Sequence, residues 1–421
     1  MYLHALIYKT INDPIMKRFF VSLLCLLIVA PCWAQKEGFS YRFYGFVRGD
    51  VFYNSRANLA PVDGCFYVYP LDIAEDANGE DLNATPNGSF YSFTTRLGLD
   101  MTGPMLGKAK SSAKIETDFG GFSSSVTMLR IRQAYVALDW EKSQLLVGQT
   151  WHPLSGLMPD VLNLSSGAPF NPFNRSPMLR FQQKMNKVKL TAATIWQLQY
   201  TSAGPAGSSQ DYIKKSCLPE LYLGADYASR NWLAGIGGHL ISLTPRTAST
   251  YGESIYKVSE RVTGLTAVAH LKYTNGPVAF AAKTMVGSMT DHSVMLGGYG
   301  VHAIDAKTGE QEYTPFRHST SWVNFTYGTK WKAGLFGGYA KNLGTTESLV
   351  DASPLYGKGL DIDQLFMVNP SISYNAGPWR IGAEYCLATA YYGTVEAKSG
   401  KVRDTHSVTN HRLLGLLVYS F

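Results

Sequence analysis

Long stretches of alternating apolar and polar side chains recur along this chain, and they exclude most folds at once. The first is the clearest. Phe39, Tyr41, Phe43, Val47, Val51 and Tyr53 share one face, while Arg42, Arg48, Asp50 and Asn54 share the other. A period of two means β-strand, because successive side chains point to opposite faces. Length then separates two kinds of strand. Those of soluble sandwiches run to ~5–6 residues, whereas a tilted strand that crosses a bilayer needs ~9–11.

Sixteen such runs can be read: Gly38–Asn54, Phe90–Met101, Ala109–Phe119, Val126–Trp140, Gln144–Trp151, Pro177–Lys184, Val188–Gln199, Leu218–Tyr227, Trp232–Leu243, Val262–Tyr273, Val278–Val286, Trp322–Tyr327, Trp331–Lys341, Leu365–Asn375, Trp379–Ala390 and Ser407–Phe421. Their connections alternate in kind. Seven are tight and built from turn residues, such as Asn275-Gly276-Pro277 and Gly377-Pro378. Eight are long and polar: Arg56–Ser89, Gly120–Ser125, His152–Ser176, Tyr200–Cys217, Thr244–Glu260, Gly287–Pro315, Asn342–Gln364 and Gly393–His406. Short turns at one end and long loops at the other are the signature of an outer-membrane barrel. In lipid every backbone N–H and C=O has to be paired within the protein, and only a closed sheet leaves no edge. The expected fold is all-β: a transmembrane antiparallel up-and-down β-barrel of about sixteen strands, with fourteen and eighteen left open. A barrel of this size encloses water, where eight strands would be filled by side chains.

The rest of the chain agrees. Charged residues make up only 16%, against ~25% in soluble domains. The net charge of +7 is dispersed and does not suit nucleic acid. No run after residue 34 has the ~18 apolar residues of a spanning helix. Residues 1–34 read as a secretory signal peptide: Met16-Lys17-Arg18 is a basic start, Phe19–Pro31 is apolar, and Cys32-Trp33-Ala34 is a cleavage site. Residues 1–15 read as an over-extended start, which leaves 35–421 as one outer-membrane domain. Tyr227, Trp232, Tyr273, Tyr327, Trp331, Tyr374 and Trp379 gather at strand ends beside the tight turns, as an interfacial girdle does. Phe421 closes the last alternating run like the terminal aromatic of outer-membrane assembly signals. After residue 34 the cysteines are Cys65, Cys217 and Cys386; Cys65 and Cys217 sit in loops and can pair, and Cys386 points inward.

The charge pattern is richest between Thr127 and Arg180. Leu129, Ile131 and Gln133 share one face of a strand, and Arg130, Arg132 and Ala134 share the other. A second strand, a loop rich in Pro, Asn and Ser from His152 to Ser176, and a third strand with Arg180 on its polar side follow. With Tyr44-Gly45-Phe46-Val47-Arg48-Gly49-Asp50, the stretches Arg130-Ile131-Arg132-Gln133-Ala134-Tyr135, Leu145–Trp151 and Arg175–Phe181 resemble the corresponding parts of DcaP-like porins. The resemblance implies a trimeric outer-membrane porin that prefers small anionic solutes such as dicarboxylates.

In a porin the site is a constriction rather than a reaction centre. Arg42, Arg48, Arg96, Arg130, Arg132 and Arg180 fall on the inward parity of their strands. Guanidinium forks bind carboxylates, and rings of basic side chains select anions. The loop after Trp151 is expected to fold inward, with Asp160, Asn163, Asn171, Asn174 and Arg175 available to face this wall. The competing reading pairs the arginines with Asp50, Asp100, Glu116 and Asp118 and leaves them only to brace the wall. The histidines show no metal-ligand spacing beyond a loose His292/His302 pair in one loop, and no cofactor or metal is expected. The acidic stretch Asp72–Asp81 reads as a solvated loop before a Ca²⁺ site. The expected partners are outer-membrane lipids, small anionic or neutral solutes and two further copies of the chain. Two rival functions remain: an adhesive barrel that binds through its long loops, and a barrel-embedded hydrolase, for which no Ser/His or Asp/His group is visible at a rim.

Overall fold

The computed structural model describes residues 38–61, 66–121 and 128–421. The segment 1–34 and Cys65 lie outside them, and with them the expected signal peptide and any Cys65–Cys217 pairing. Among the described residues sixteen long antiparallel strands, joined by three shorter ones, form one closed sheet. In chain order they are β1 (Ser40–Asn54), β2 (Arg96–Leu106), β3 (Ala109–Asp118), β4 (Arg130–Asp139), β5 (Ser143–Trp151), β6 (Arg175–Met185), β7 (Val188–Ile195), β8 (Glu220–Ala228), β9 (Trp232–Leu243), β10 (Val262–Asn275), β11 (Val278–Ser288), β12 (Gln311–Gly328), β13 (Trp331–Gly344), β14 (Ile362–Ala376), β15 (Trp379–Val395) and β16 (Val402–Ser420). Each pairs with its neighbours in sequence, and β1 closes the ring. On one side it pairs with β16, from Phe46 opposite Ser420 to Asn54 opposite Arg412. On the other it pairs with β2, from Ser40 opposite Thr102 to Phe46 opposite Arg96.

The two faces of the sheet follow the alternation. Phe43, Leu223, Ile236 and Leu265 stand fully outward, each more than 60% exposed, as a lipid-facing surface requires. At the short-turn end the aromatics pack across strands in tilted or edge-on pairs: Trp232 with Tyr273 at 4.6 Å, Trp331 with Tyr374 at 4.9 Å and Trp379 with Tyr419 at 4.7 Å between ring centroids. Among the described residues no helix is long and apolar enough to cross a membrane.

Two details depart from the alternation. The run Phe90–Met101 is not one strand. Its first part belongs to a short strand, Asn87–Tyr91, that pairs with the upper end of β1. Between this and β2 the Thr95 N–H and hydroxyl both bond to Ser92 O, at 3.1 and 2.7 Å. A hydroxyl that offers the backbone a local partner interrupts the ladder. In β4 a bulge sets Glu116 opposite Gln133 and Thr117 opposite Ile131, which leaves Arg132 as the extra residue. The strict alternation therefore ends there. Ile131 and Val136 both face outward, and Gln133 turns inward to bond Thr150. An extra residue in one strand re-aims the side chains that follow it.

The long loops carry structure of their own: a hairpin (Ala248–Tyr251 with Ser254–Lys257), a short helix (Asp211–Ser216), and two strands (Gly297–Ile304 and Leu355–Lys358) that pair with each other, the first also continuing onto β12. The main apolar cluster lies inside the barrel, where Phe170 and Phe173 of the loop after β5 meet Trp322, Phe336 and Met367 of the wall.

The seam between first and last strands ends on a reciprocal pair of backbone bonds, Gly45 N–H to Phe421 O and Phe421 N–H to Gly45 O, both 3.0 Å. Deleting Phe421 removes both, at ~1 kcal/mol each. The expected outcome is a folded barrel whose urea midpoint in detergent falls measurably below that of the full chain. An unchanged midpoint would show that the seam does not depend on this pair.

Candidate functional site

The loop from His152 to Asn174 turns into the barrel. Its neck is closed by His152 N–H on Asn174 O at 2.9 Å. From there it is tied to the far wall at several points. Lys283 of β11, almost fully buried, donates to Leu154 O (3.0 Å), Ser155 O (2.9 Å) and Asn171 Oδ1 (2.7 Å). The Asp160 N–H bonds Asn324 Oδ1 of β12 at 2.9 Å, and the Leu162 N–H bonds Glu384 Oε2 of β15 at 2.7 Å. Phe170 lies flat on Gly338 of β13, where a Cβ would come within 2.4 Å of the ring. Any larger residue there would push the loop off the wall.

Between this loop and the strands β1 to β4 lies a cavity of about 270 Å³. Arg48, Arg96, Arg130 and Arg132 line it from the wall, and Val161 to Leu164 and Ser166, with Phe173, line it from the loop. The arginines are held by carboxylates on the same wall. Arg130 makes a two-pronged contact with Asp118, at 2.8 and 2.7 Å. Arg132 spans Glu116 (2.9 Å) and Asp118 (2.7 Å). Arg48 grips Asp50 at 2.6–2.9 Å and also donates to Leu162 O of the loop at 2.8 Å. Arg96 is looser, 3.7 Å from Glu116, with its guanidinium 4.9 Å over the Phe46 ring. Neighbouring strands set these contacts, since Arg96 and Arg130 both stand opposite Asp118 in register.

The other expected residues fall elsewhere. Arg175 opens β6 behind the cavity, fully buried, with Trp151, Phe173 and Tyr200 around its guanidinium and a 2.6 Å bond to Tyr200 Oη. Arg180 lies further down β6 and donates to Gln144 at 3.2 Å. Neither pairs with a carboxylate among the described residues. Arg42 pairs with Asp100 at 2.6 Å near the start of β1. Asp160 does not face the arginine wall: its carboxylate meets Lys332 of β13 and Arg380 of β15. Of the loop asparagines, Asn163 lines the cavity, whereas Asn171 and Asn174 turn to Lys283 and Ser293. The acidic stretch is a bonded turn, with Arg56 on Asp81 at 3.1 Å.

Sequence reasoning missed Lys283 and Arg412. Both are basic residues on inward parity, and inward parity next to an apolar run was the available signal. Arg412 is buried 4.2 Å over the Phe52 ring and bonds Asn54 Oδ1. It also missed a cluster at the neck of the loop. His152, Glu220, His239 and His292 bring their side chains together, all 0% exposed. Their ring nitrogens and carboxylate oxygen lie within 4.8 Å of one another. His302, grouped with His292 in the sequence, instead bonds Ser348 O at the surface. Burial pushes the His152 imidazole down to about 4, although Glu220 works the other way. At His292 burial also lowers, but the Glu220 and Asp291 carboxylates together more than offset it and hold the ring above its ordinary value. The four positions are too far apart in the chain for any spacing rule to join them.

With this geometry in hand, the likeness to known proteins is informative. The structure is similar to that of the outer membrane channel DcaP of Acinetobacter baumannii, at 20% identity, covering 92% of this chain and 99% of that one, with a TM-score of 0.67. The fold is that of an outer-membrane channel. It is also similar to the outer-membrane expressed OmpT of Vibrio cholerae (11% identity, 92% and 99% covered, TM-score 0.55) and to an anion-selective porin from Comamonas acidovorans (11% identity, 91% and 100% covered, TM-score 0.52). No family model matches the sequence, and no curated protein sequence matches it.

The Lys283 ammonium is the strongest single tie between loop and far wall. A hydrogen bond to a charged donor is worth ~1.5–3 kcal/mol, and ~1.4 kcal/mol is a factor of ten in population. Lys283→Met is expected to leave the barrel folded and to raise the rate of limited proteolysis within 152–174 more than about tenfold. Cleavage at the wild-type rate would assign the tether to other contacts.

Proposed function

We propose that the protein is an outer-membrane porin, working after removal of residues 1–34, that lets small hydrophilic solutes diffuse passively and prefers anions such as dicarboxylates. The observation that carries this reading is the charge balance around the cavity. Arg48, Arg96, Arg130 and Arg132 line it and Arg175 lies behind it, five guanidiniums against the three carboxylates of Asp50, Glu116 and Asp118. The pairing braces the wall and fixes the guanidinium planes, but it does not cancel the charge. A narrow, low-dielectric passage concentrates the remaining field. A dicarboxylate entering it meets rigid forks that lose little further side-chain entropy on binding it. Because the forks already hold carboxylates, they bind a passing anion weakly, and conduction requires binding weak enough for release. On this reading the loop at Val161 to Ser166 is the opposing jaw of the constriction. A homotrimer is part of the proposal, since OmpT of Vibrio cholerae, of the same fold, has a trimer form.

The test is single-channel recording in a planar bilayer under a salt gradient. The wild type is expected to give discrete steps and a reversal potential of anion sign. Arg130→Ala/Arg132→Ala leaves three guanidiniums against three carboxylates, and the reversal potential is expected to move to zero or to cation sign with the steps retained. Steps whose reversal potential stays at the wild-type value would remove these arginines as the filter. The absence of steps from the folded wild type would overturn the porin reading itself.

A further inference from the structure

We propose that His152, Glu220, His239 and His292 form a binding site for one divalent transition metal ion, Zn²⁺ by its donor set, which clamps the neck of the in-folded loop to the barrel wall. The inference concerns the loop's anchorage and stands whether or not the channel selects anions.

The geometry points to a cation at the meeting point. Three imidazole Nε2 atoms surround a single carboxylate oxygen, Glu220 Oε2: His239 at 3.0 Å, His152 at 3.2 Å and His292 at 3.4 Å. Zinc binds imidazole and carboxylate at ~2.0–2.2 Å in a tetrahedron, whose edges are then about 3.3 Å. The three measured separations are edges of that size. The four ligand atoms lie within 4.8 Å of one another, so the nitrogens draw together as the ion enters. The side chains are fully buried, and four protein ligands leave no position open for a substrate. That is the form of a structural site rather than a catalytic one.

The hydrogen bonds around the cluster argue for a metal over protons alone. Glu220 Oε1 is already engaged by Gln197 Nε2 at 2.9 Å, so Oε2 must serve all three rings. A carboxylate oxygen offers about two lone pairs. His292 donates from Nδ1 to Met289 O at 3.2 Å, so its Nε2 can face Glu220 Oε2 only by carrying a second proton or by sharing a cation with it. That Nε2 is buried and makes no well-aligned hydrogen bond. A ring whose far N–H is fixed by a backbone carbonyl, and a carboxylate whose far oxygen is fixed by an amide, are the outer-shell arrangements that metal ligands adopt. The Nδ1 of His239 is buried without a hydrogen-bond partner, and His152 departs further. Its Nδ1 accepts from Leu154 N–H at 3.1 Å, so its neutral ring carries the proton on Nε2. To bind metal it must shift that proton and give up the Leu154 bond. His152 is therefore the weakest of the four ligands, and Glu220, His239 and His292 carry the site.

The consequence is mechanical. His152 begins the loop, and its N–H bonds Asn174 at the loop's end. His292 sits in the single turn Asp291–Ser293, where Ser293 O accepts from Phe173 N–H at 2.8 Å and Ser293 Oγ from Asn174 Nδ2 at 3.2 Å. Glu220 and His239 belong to β8 and β9, next to each other in the wall. One ion would thus join both ends of the loop to two barrel strands. Binding to the folded form alone stabilises it in proportion to the logarithm of free metal over its dissociation constant.

The experiment uses the full folded barrel in detergent, stripped with a chelator and re-equilibrated with Zn²⁺ or Co²⁺. Elemental analysis is expected to find one Zn²⁺ per chain, and Co²⁺ to give the visible bands of a tetrahedral ion. His292→Ala and Glu220→Gln should lose both, while His302→Ala keeps both. His152→Ala should keep the ion at reduced affinity, and Gln197→Ala should weaken it by about 10–100-fold. Each variant is first checked for heat-modifiable gel mobility, so that a misfolded Glu220→Gln leaves His292→Ala as the deciding variant. Wild-type barrel that is folded yet takes up no stoichiometric Zn²⁺, or uptake that His292→Ala leaves unchanged, would overturn the site. Equal proteolysis of 152–174 with and without Zn²⁺ would overturn the clamp.

Discussion

Backbone pairing around a closed ring is the constraint on which the rest of this structure depends. In hydrocarbon an unpaired amide costs several kcal/mol, so the sheet can have no free edge. β1 carries that burden, since it pairs with β16 along most of its length and with β2 at its start. Once the ring is closed, the side chains divide by parity. Apolar residues go to lipid, and polar and charged residues go to an interior that holds water. The arginine–carboxylate pairs of β1 to β4 follow from that division, because inward charges on neighbouring strands stand within reach of one another.

The second organising element is the loop 152–174, which crosses the interior of the ring. It is held by polar ties rather than by strand pairing: Lys283 on its carbonyls, Asn324 and Glu384 on its amides, and Phe170 seated on Gly338. These ties sit on β11, β12, β13 and β15, across the lumen from the arginine wall. One wall is thus specialised for charge and the other for anchorage. The buried His and Glu group at the loop's neck belongs to the anchoring side, although it is assembled from elements on both flanks of the loop.

Much of this was legible before any coordinates. The strand count, the side of the long loops and the inward direction of Arg48, Arg96, Arg130 and Arg132 all follow from alternation, which is a local property. The misses share a cause. The bulge at Arg132 changes the direction of Gln133 and Tyr135, and it depends on the partner strand, which the run itself does not contain. Asp160 reads as a residue opposed to the arginines, but the loop crosses far enough to reach Lys332 and Arg380 first. Lys283 has inward parity like the arginines, yet its role comes from three acceptors that lie more than a hundred positions away in the chain.

The sequence by itself therefore determined the period, length and order of the strands, because lipid on one side and water on the other impose a two-residue rhythm that composition alone must satisfy. It determined which residues could be charged and inward. Tertiary structure decided which of them meet. Guanidiniums found their carboxylates through strand register, the loop found its wall through its path across the lumen, and His152, Glu220, His239 and His292 converged only when four separate segments closed around one point. Contacts between distant parts of a chain are set by how the ring closes, and closure is a property of the whole sheet.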